Sequence, residues 1–381
     1  MSEQATRVLL RLIEAGLNGS NDPGLTDDEV SSTNWSQITA SARQHHLSGL
    51  LFRAVRRGKL DSALPQRTWA AVHADYYAHV ARNLVLLNHA ETLIETTRRF
   101  RVPLLFLKGS AFGGWLYDNP SLRPMTDLDV LIREQDEVTL TQIASMLGYE
   151  FFGRTSHGIS LRHHHSGTYL ELHTSLTSCP NYIGISTDEL LARSVPTSSE
   201  SGLARTLATE DHLLHLCLHG GFQQGFRQPA INACDIYLLV RRPELDWEYF
   251  YKRASTPRLA PFVYGGLSLS QAILPSTESK LAMETLETEI HPRQRFREHQ
   301  VTRLLSPSPE SAFGSPWSRF LMTPSFTDTL SLARETLSPC VSKRSPFLSA
   351  LARRVTLVNR YGFSRWSRNL WSARAAVRTE T

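Results

Sequence analysis

Cysteine is scarce in this chain of 381 residues: Cys179, Cys217, Cys234 and Cys340 lie far apart, with no C-x-x-C spacing among them. That pattern excludes a zinc knuckle or a redox pair and leaves reduced thiols. Long apolar runs are missing as well. Around the most informative motifs the longest is Val102 to Leu107, far short of the roughly 20 residues needed to cross a bilayer. Met1 to Leu17 mixes Glu3, Arg7, Arg11 and Glu14 into an amphipathic pattern and lacks the continuous apolar stretch of a secretory signal. The expected address is cytoplasmic. Nothing recurs at a fixed period, so no solenoid is implied.

What is present is ordinary soluble-protein composition, 41% hydrophobic and 20% charged. A chain of this length buries a substantial core and forms two or three compact units. The net charge of +5 is unevenly placed: residues 341–381 hold nine Lys and Arg against one acid, Glu380, so the remainder carries about −3. The basic pI belongs to the tail and says little about the body.

Apolar residues recur at three- and four-residue steps from Trp35 through Ile38, Ala42, Leu47, Leu50 and Leu51, and again from Leu84 to Ile94. This spacing predicts helices. At Val102 the texture changes to short apolar runs bounded by turn residues, predicting strands over Val102–Leu107 and Leu128–Ile132. Between them Ser110–Tyr117 reads as a short helix, and Glu134–Leu147 as a second one ending at Gly148. A strand pair, Gly158–Arg162 and Thr168–Leu172, follows. After Ser201 the pattern is helical again, with Ile231–Val240 and Phe262–Ile273 prominent; Ser306–Pro316 reads as a linker. The expected organisation is a helical region (1–100), an α/β core on a mixed sheet (101–200), a second helical region (201–305), and a linker with a basic, aromatic-containing tail (306–381).

The chemistry gathers in Leu107-Lys-Gly-Ser110 and Arg123-Pro-Met-Thr-Asp-Leu-Asp-Val-Leu-Ile132. In a strand successive side chains alternate faces, so Asp127 and Asp129 project together while Leu128 and Val130 turn into the core. Two converging carboxylates repel unless a cation lies between them, and hard oxygen donors suit magnesium or manganese. Alternating acids also occur on solvated strand faces. Gly109-Ser110 falls where a strand meets a helix, a place for a triphosphate to approach backbone N–H groups, or an ordinary turn. Tyr169-Leu-Glu-Leu-His173 repeats the alternation, putting Glu171 and His173 on one face. Glu171 is then a third carboxylate for a metal and for an acceptor proton, or a surface acid on a hairpin.

Gly-Ser, a helix, D-x-D and a later acid on another strand together resemble the nucleotidyltransferase fold of the DNA polymerase β superfamily. More narrowly, residues 35–275 resemble a bacterial family of uncharacterised nucleotidyltransferases found among gene clusters for surface polysaccharides and modified peptides. The likeness is carried by Trp35, Leu107-Lys-Gly109, Leu116-Tyr117, Arg123, Asp127-Leu-Asp129, Glu171-Leu-His173, Leu213 to His219, Asp235 and Asp246-Trp247 in order. It implies an α+β fold with a polymerase β-like mixed-sheet core flanked by helical regions. It implies that Asp127, Asp129 and Glu171 bind Mg2+ or Mn2+ and act in catalysis, with Gly109-Ser110 facing the phosphates. The expected activity is transfer of a nucleoside monophosphate from an NTP to a hydroxyl or phosphate acceptor; the alternative is an inactive nucleotide-binding or scaffold protein.

Lys108 and Arg123 are candidates to neutralise triphosphate charge, each equally a structural ion-pair partner. His163-His-His165 reads as a turn. His215 and His219 have the i, i+4 spacing of a zinc helix, but Leu216 stands where a zinc protease carries glutamate. Packing or an acceptor-side role is expected, with Asp235 a partner from the next helix. Tyr361, Phe363, Trp366 and Trp371 alternate with arginines in the tail, a pattern for an anionic partner or for a solvated basic helix.

Overall fold

The N-terminal region is helical where apolar residues recur on one face, and its first three helices are capped by the side chains of Ser2, Thr26 and Asn34. Helix α1 (Glu3–Asn18) starts at Ser2, whose hydroxyl accepts from the Ala5 N–H, and stops at Gly19 with φ 63°, a left-handed stop that glycine adopts without a Cβ clash. Three short helices follow, α2 (Asp27–Ser32), α3 (Trp35–Gln44) and α4 (Ser48–Arg57). Pro65 then precedes the long α5 (Gln66–Arg98). The computed structural model describes residues 2–113, 115–197, 204–290 and 322–337. The described residues up to Leu332 form one compact unit.

The sheet that positions the site begins at β1 (Leu104–Phe106), followed by α6 (Lys108–Phe112), β2 (Asp127–Leu131), α7 (Glu137–Met146), β3 (Tyr149–Thr155), β4 (Gly158–His163) and β5 (Tyr169–His173). Two short helices, α8 (Pro180–Ile183) and α9 (Thr187–Arg193), lead to β6 (Val195–Pro196) and β7 (Ala204–Thr206). Among the described residues these strands form one seven-stranded mixed sheet in the order β3-β4-β5-β2-β1-β7-β6. Strand β2 is central, antiparallel to β1 and parallel to β5. Its Leu128 and Val130 are buried, as the alternation requires; burying side chains of this size contributes roughly 1.5–3 kcal/mol each. Proline in β6 sits at the sheet edge, where its missing N–H breaks no ladder.

Helices α10 (Thr209–Leu218), α11 (Ile231–Val240), α12 (Trp247–Ala254), α13 (Ala260–Ile273) and α14 (Thr277–Leu286) complete the fold, with α15 (Phe326–Leu337) after the undescribed 291–321. A five-residue π-helical turn, His219–Gln223, extends α10. The chain is thus α+β on a mixed sheet. No described helix is long and apolar enough to cross a membrane. The linker at Ser306–Pro316, Cys340 and the basic tail lie outside the described residues.

Several expected boundaries shift for local reasons. The first strand keeps three residues of Val102–Leu107; Pro103 offers no N–H to a ladder. The helix expected over Ser110–Tyr117 instead starts at Lys108 and ends at Phe112, and the chain then turns so that Gly113 bridges Tyr117. Glu134–Asp136 forms a separate tight turn before α7. The hairpin expected at Gly158 gains an outer partner, β3, with Phe151 and Phe152 exposed on it.

Candidate active site

The register of β2 against β5 sets the site. Asp127 pairs with Tyr169, Asp129 with Glu171 and Leu131 with His173. Directly opposed residues of parallel strands face the same side, so the Asp129 and Glu171 carboxylates share a face, and His173 lies two residues further along it. Ligand atoms of Asp129, Glu171 and His173 all lie within 4.8 Å of one another. Asp127 projects from the same strand but stands outside that group, its Oδ1 accepting from the Thr126 hydroxyl at 3.0 Å.

Asp129 is buried, and its Oδ1 takes both the Lys108 ammonium at 2.9 Å and His173 Nε2 at 2.8 Å. Burial works against its charge, but Lys108 and His173 outweigh it and hold the carboxyl well below the usual range. An ionised carboxylate only accepts, so His173 donates from Nε2. The Asp127 carboxyl goes the other way: burial, with the charge of Asp129, pushes it up to about 6 although Lys108 opposes the rise. Two carboxyls on one face are thereby driven apart, as crowding of like charges in a low dielectric demands. For Lys108, burial disfavours the charge, but Asp129 and then Asp127 outweigh it and raise the ammonium above its ordinary value.

Lys108 reaches this position from φ 48°, a left-handed conformation that costs a residue with a Cβ about 1–2 kcal/mol. The Ser110 hydroxyl donates to the carbonyls of Leu107 (2.7 Å) and Asp129 (3.2 Å). It therefore fastens the start of α6 to β2 and is not directed at a ligand. Gly109 has a packing reason for its missing side chain, because a Cβ there would lie 2.3 Å from Arg123 Nη1.

Arg123 requires a correction. It does not face the carboxylate cluster: it is buried against Asp235, with Nη2 2.7 Å from Oδ2 and Nε 3.2 Å from both carboxylate oxygens. The Tyr117 hydroxyl donates to the other side of Asp235 at 2.7 Å. A guanidinium engaged in this way is not available to a phosphate. Asn83, on α5, holds the same segment by donating to the carbonyls of Pro120 and Arg123 (3.0 Å each) and accepting from the Met125 N–H (2.9 Å). Sequence reasoning missed Asn83, which carries no periodic or motif signal, and missed His173 as a member of the cluster, although the Glu-Leu-His alternation placed it on the right face.

A cavity of about 300 Å³ opens beside the cluster, with Lys108, Glu171 and His173 in its wall. His157 from the β3–β4 turn, His215 and His219 from the end of α10, and Gln223 from the π-helical turn complete that side. The His157 ring stacks on His173 with centroids 5.4 Å apart and bonds Gln223 at 3.3 Å. Burial pushes the His157 imidazole down to about 4 and those of His215 and His219 well below their ordinary value. Asp127, Gly109, Ser110 and Arg123 do not line this cavity.

Residues 31–275 match the model of a family described as uncharacterised nucleotidyltransferase. No curated protein and no solved structure matches the chain. The matched span covers well over half of the sequence and encloses every strand of the sheet together with α10 and α11. The chain belongs to the uncharacterised nucleotidyltransferase family.

Proposed function

We propose that this protein transfers a nucleoside monophosphate from an NTP to an acceptor oxygen, using a divalent metal held on the β2–β5 face of a polymerase β-like core. The observation that carries the reading is the in-register opposition of Asp129 and Glu171 on adjacent parallel strands, with His173 beside them. The donor set fits a cation: the Asp129 and Glu171 carboxylates converge and Asp127 lies on the same strand as Asp129, three acids against the ammonium of Lys108. Asp129 and Glu171 would hold the ion, with Asp127 adding charge from the same strand and the His173 Nε2–H steadying Asp129; carboxylate oxygens of this kind suit Mg2+ or Mn2+. When bound, such an ion supplies charge against the triphosphate and the departing pyrophosphate.

The chain's own groups divide the remaining work. Lys108 and the backbone of Gly109 and Ser110 receive the phosphates. Glu171 accepts the proton of the attacking acceptor. The acceptor oxygen bonds to the α-phosphorus, the bond from that phosphorus to the bridging oxygen breaks, and pyrophosphate leaves with the electron pair. The Arg123–Asp235 pair and Asn83 hold the segment that feeds β2, keeping Asp127 and Asp129 in register; positioning matters because nucleotidyl transfer depends chiefly on alignment and charge.

The test is which phosphorus moves. With NTP labelled at the α-phosphorus, this reading expects label in an acceptor product and unlabelled pyrophosphate; transfer of a γ-label would indicate a phosphotransferase, and saturable NTP binding without either would indicate a binding module.

A further inference from the structure

We propose that the cavity beside Glu171 is the acceptor pocket and that it takes a neutral, polyhydroxylated molecule. The inference rests on the nucleotidyl-transfer reading and adds the class of acceptor. It begins from which residues the cavity touches. Glu171, the proposed proton acceptor, lines it, whereas Asp127, Gly109 and Ser110 on the nucleotide side do not, and Lys108 borders both sides. The cavity therefore opens on the side from which an acceptor would approach.

Its wall defines the chemistry of the guest. The formally charged side chains there are Glu171 and Lys108, and the lysine is paired with Asp129 at 2.9 Å. A phosphorylated or carboxylated guest would bring more negative charge against Glu171, and among the described residues of the wall the one Lys or Arg to meet it is Lys108, which pairs with Asp129 and is committed to the phosphates of the nucleotide. Among the described residues of the wall there is no Phe, Tyr or Trp, and its aliphatic side chains are Leu107 and Leu176. The rest of the wall is hydrogen-bonding groups, among them Ser175, Gln223, Gln224, His157, His215 and His219. The Nδ1 atoms of His215 and His219 are buried without a partner. Many donors and acceptors at close spacing and little net charge match a molecule with several hydroxyls on a carbon frame, one of which meets Glu171. A site built to bond hydroxyls discriminates strongly against molecules that lack them. The volume of about 300 Å³ is at the lower end for ligand sites and suits a small guest. The π-helical turn that carries Gln223 into the wall is a local irregularity of a kind often found where a helix has been adapted to a ligand.

The full chain would be incubated with a mixture of NTPs labelled at the α-phosphorus, Mg2+ or Mn2+, and one probe at a time: glycerol, myo-inositol, glucose or maltose, each beside its monophosphate ester. At least one neutral probe should yield a labelled ester, about tenfold or more faster than its phosphorylated counterpart, the scale of one or two lost hydrogen bonds plus repulsion. Preference for the phosphorylated probes overturns the proposal. So does label passing to water alone at a rate no neutral probe changes, an outcome that leaves nucleotidyl transfer intact. Label that never leaves the NTP overturns both readings. In Gln223→Leu, KM for the neutral probe should rise about tenfold with kcat little changed, the signature of lost ground-state binding; an equal fall in kcat assigns Gln223 a structural role and counts against the pocket. Gln224→Leu, at an exposed position, gives the same comparison should the first variant fail to fold.

Discussion

Asp129 and Glu171 face each other in register across two parallel strands, and His173 Nε2 lies 2.8 Å from Asp129 Oδ1. The two acids differ in setting: Asp129 is buried in an ion pair, whereas Glu171 is about one third exposed in the wall of a cavity. Glu171→Gln keeps the shape and removes the basicity, so turnover should fall roughly 10²-fold or more with modest change in NTP affinity. The thermal midpoint should barely move. Steady-state kinetics with thermal denaturation of the same preparation checks this, and an unchanged kcat would remove Glu171 from the mechanism.

The Arg123–Asp235 pair should matter for stability first. Asp235 is fully buried and its carboxylate meets both Arg123 and Tyr117. Asp235→Ala strands a buried guanidinium, which should cost about 3–5 kcal/mol in urea denaturation. The joint substitution Arg123→Met with Asp235→Leu should recover much of that loss, because neither charge is left buried alone. A loss below about 1 kcal/mol in the single variant would contradict the pairing.

How much of this could be read from residues alone divides along sequence distance. The period-two alternation of Asp127-Leu-Asp129 and Glu171-Leu-His173 gave both faces, and the three- and four-residue apolar steps gave α3, α4 and much of α5. Register between β2 and β5 was an expectation that pattern alone could not fix, since a one-residue slip would present Leu170 or Leu172. The fate of Arg123 was illegible: its partner lies 112 positions away, and nothing local separates a phosphate-binding arginine from a buried one. Strands β6 and β7 were missed because two or three residues carry no period, and β7 gains its strand geometry from pairing with β1, about 100 residues earlier. Strand β3 was missed because it is an edge with exposed Phe151 and Phe152, which breaks the apolar-in, polar-out rule.

Gly109→Ala places a methyl carbon 2.3 Å from Arg123 Nη1 and 3.1 Å from Met125 Cγ. The guanidinium cannot yield freely because it is bonded to Asp235. Overpacking of this kind costs about 1–3 kcal/mol. Chemical denaturation should show that loss, and a variant as stable as the parent would mean that Arg123 can move without penalty.

Stability should fall in mild acid through the buried histidines. His212 is fully buried against Phe112 and Trp115, with Nε2 2.6 Å from Thr206 Oγ1, and burial pushes its imidazole from 6.5 down to about 3. The unfolded chain binds more protons than the folded one between those values. The stabilisation is therefore full above 6.5 and is lost as pH falls toward 3. At about pH 5 the contribution of His212 should have dropped by about 2 kcal/mol. His215 and His219 shift in the same direction. Urea midpoints at about pH 7.5 and about pH 5, for the parent and for His212→Leu, measure it; the parent should show the steeper decline, and equal slopes would mean that His212 is not held neutral.

The most direct measurement of the central claim follows α- and γ-labelled NTP in parallel with the parent, Asp129→Asn and Glu171→Gln. The account predicts that the α-label reaches an acceptor and pyrophosphate is released by the parent, with both lost or reduced about 10²-fold or more in the two variants. Movement of the γ-label, or α-label transfer at parental rate in either variant, would contradict it.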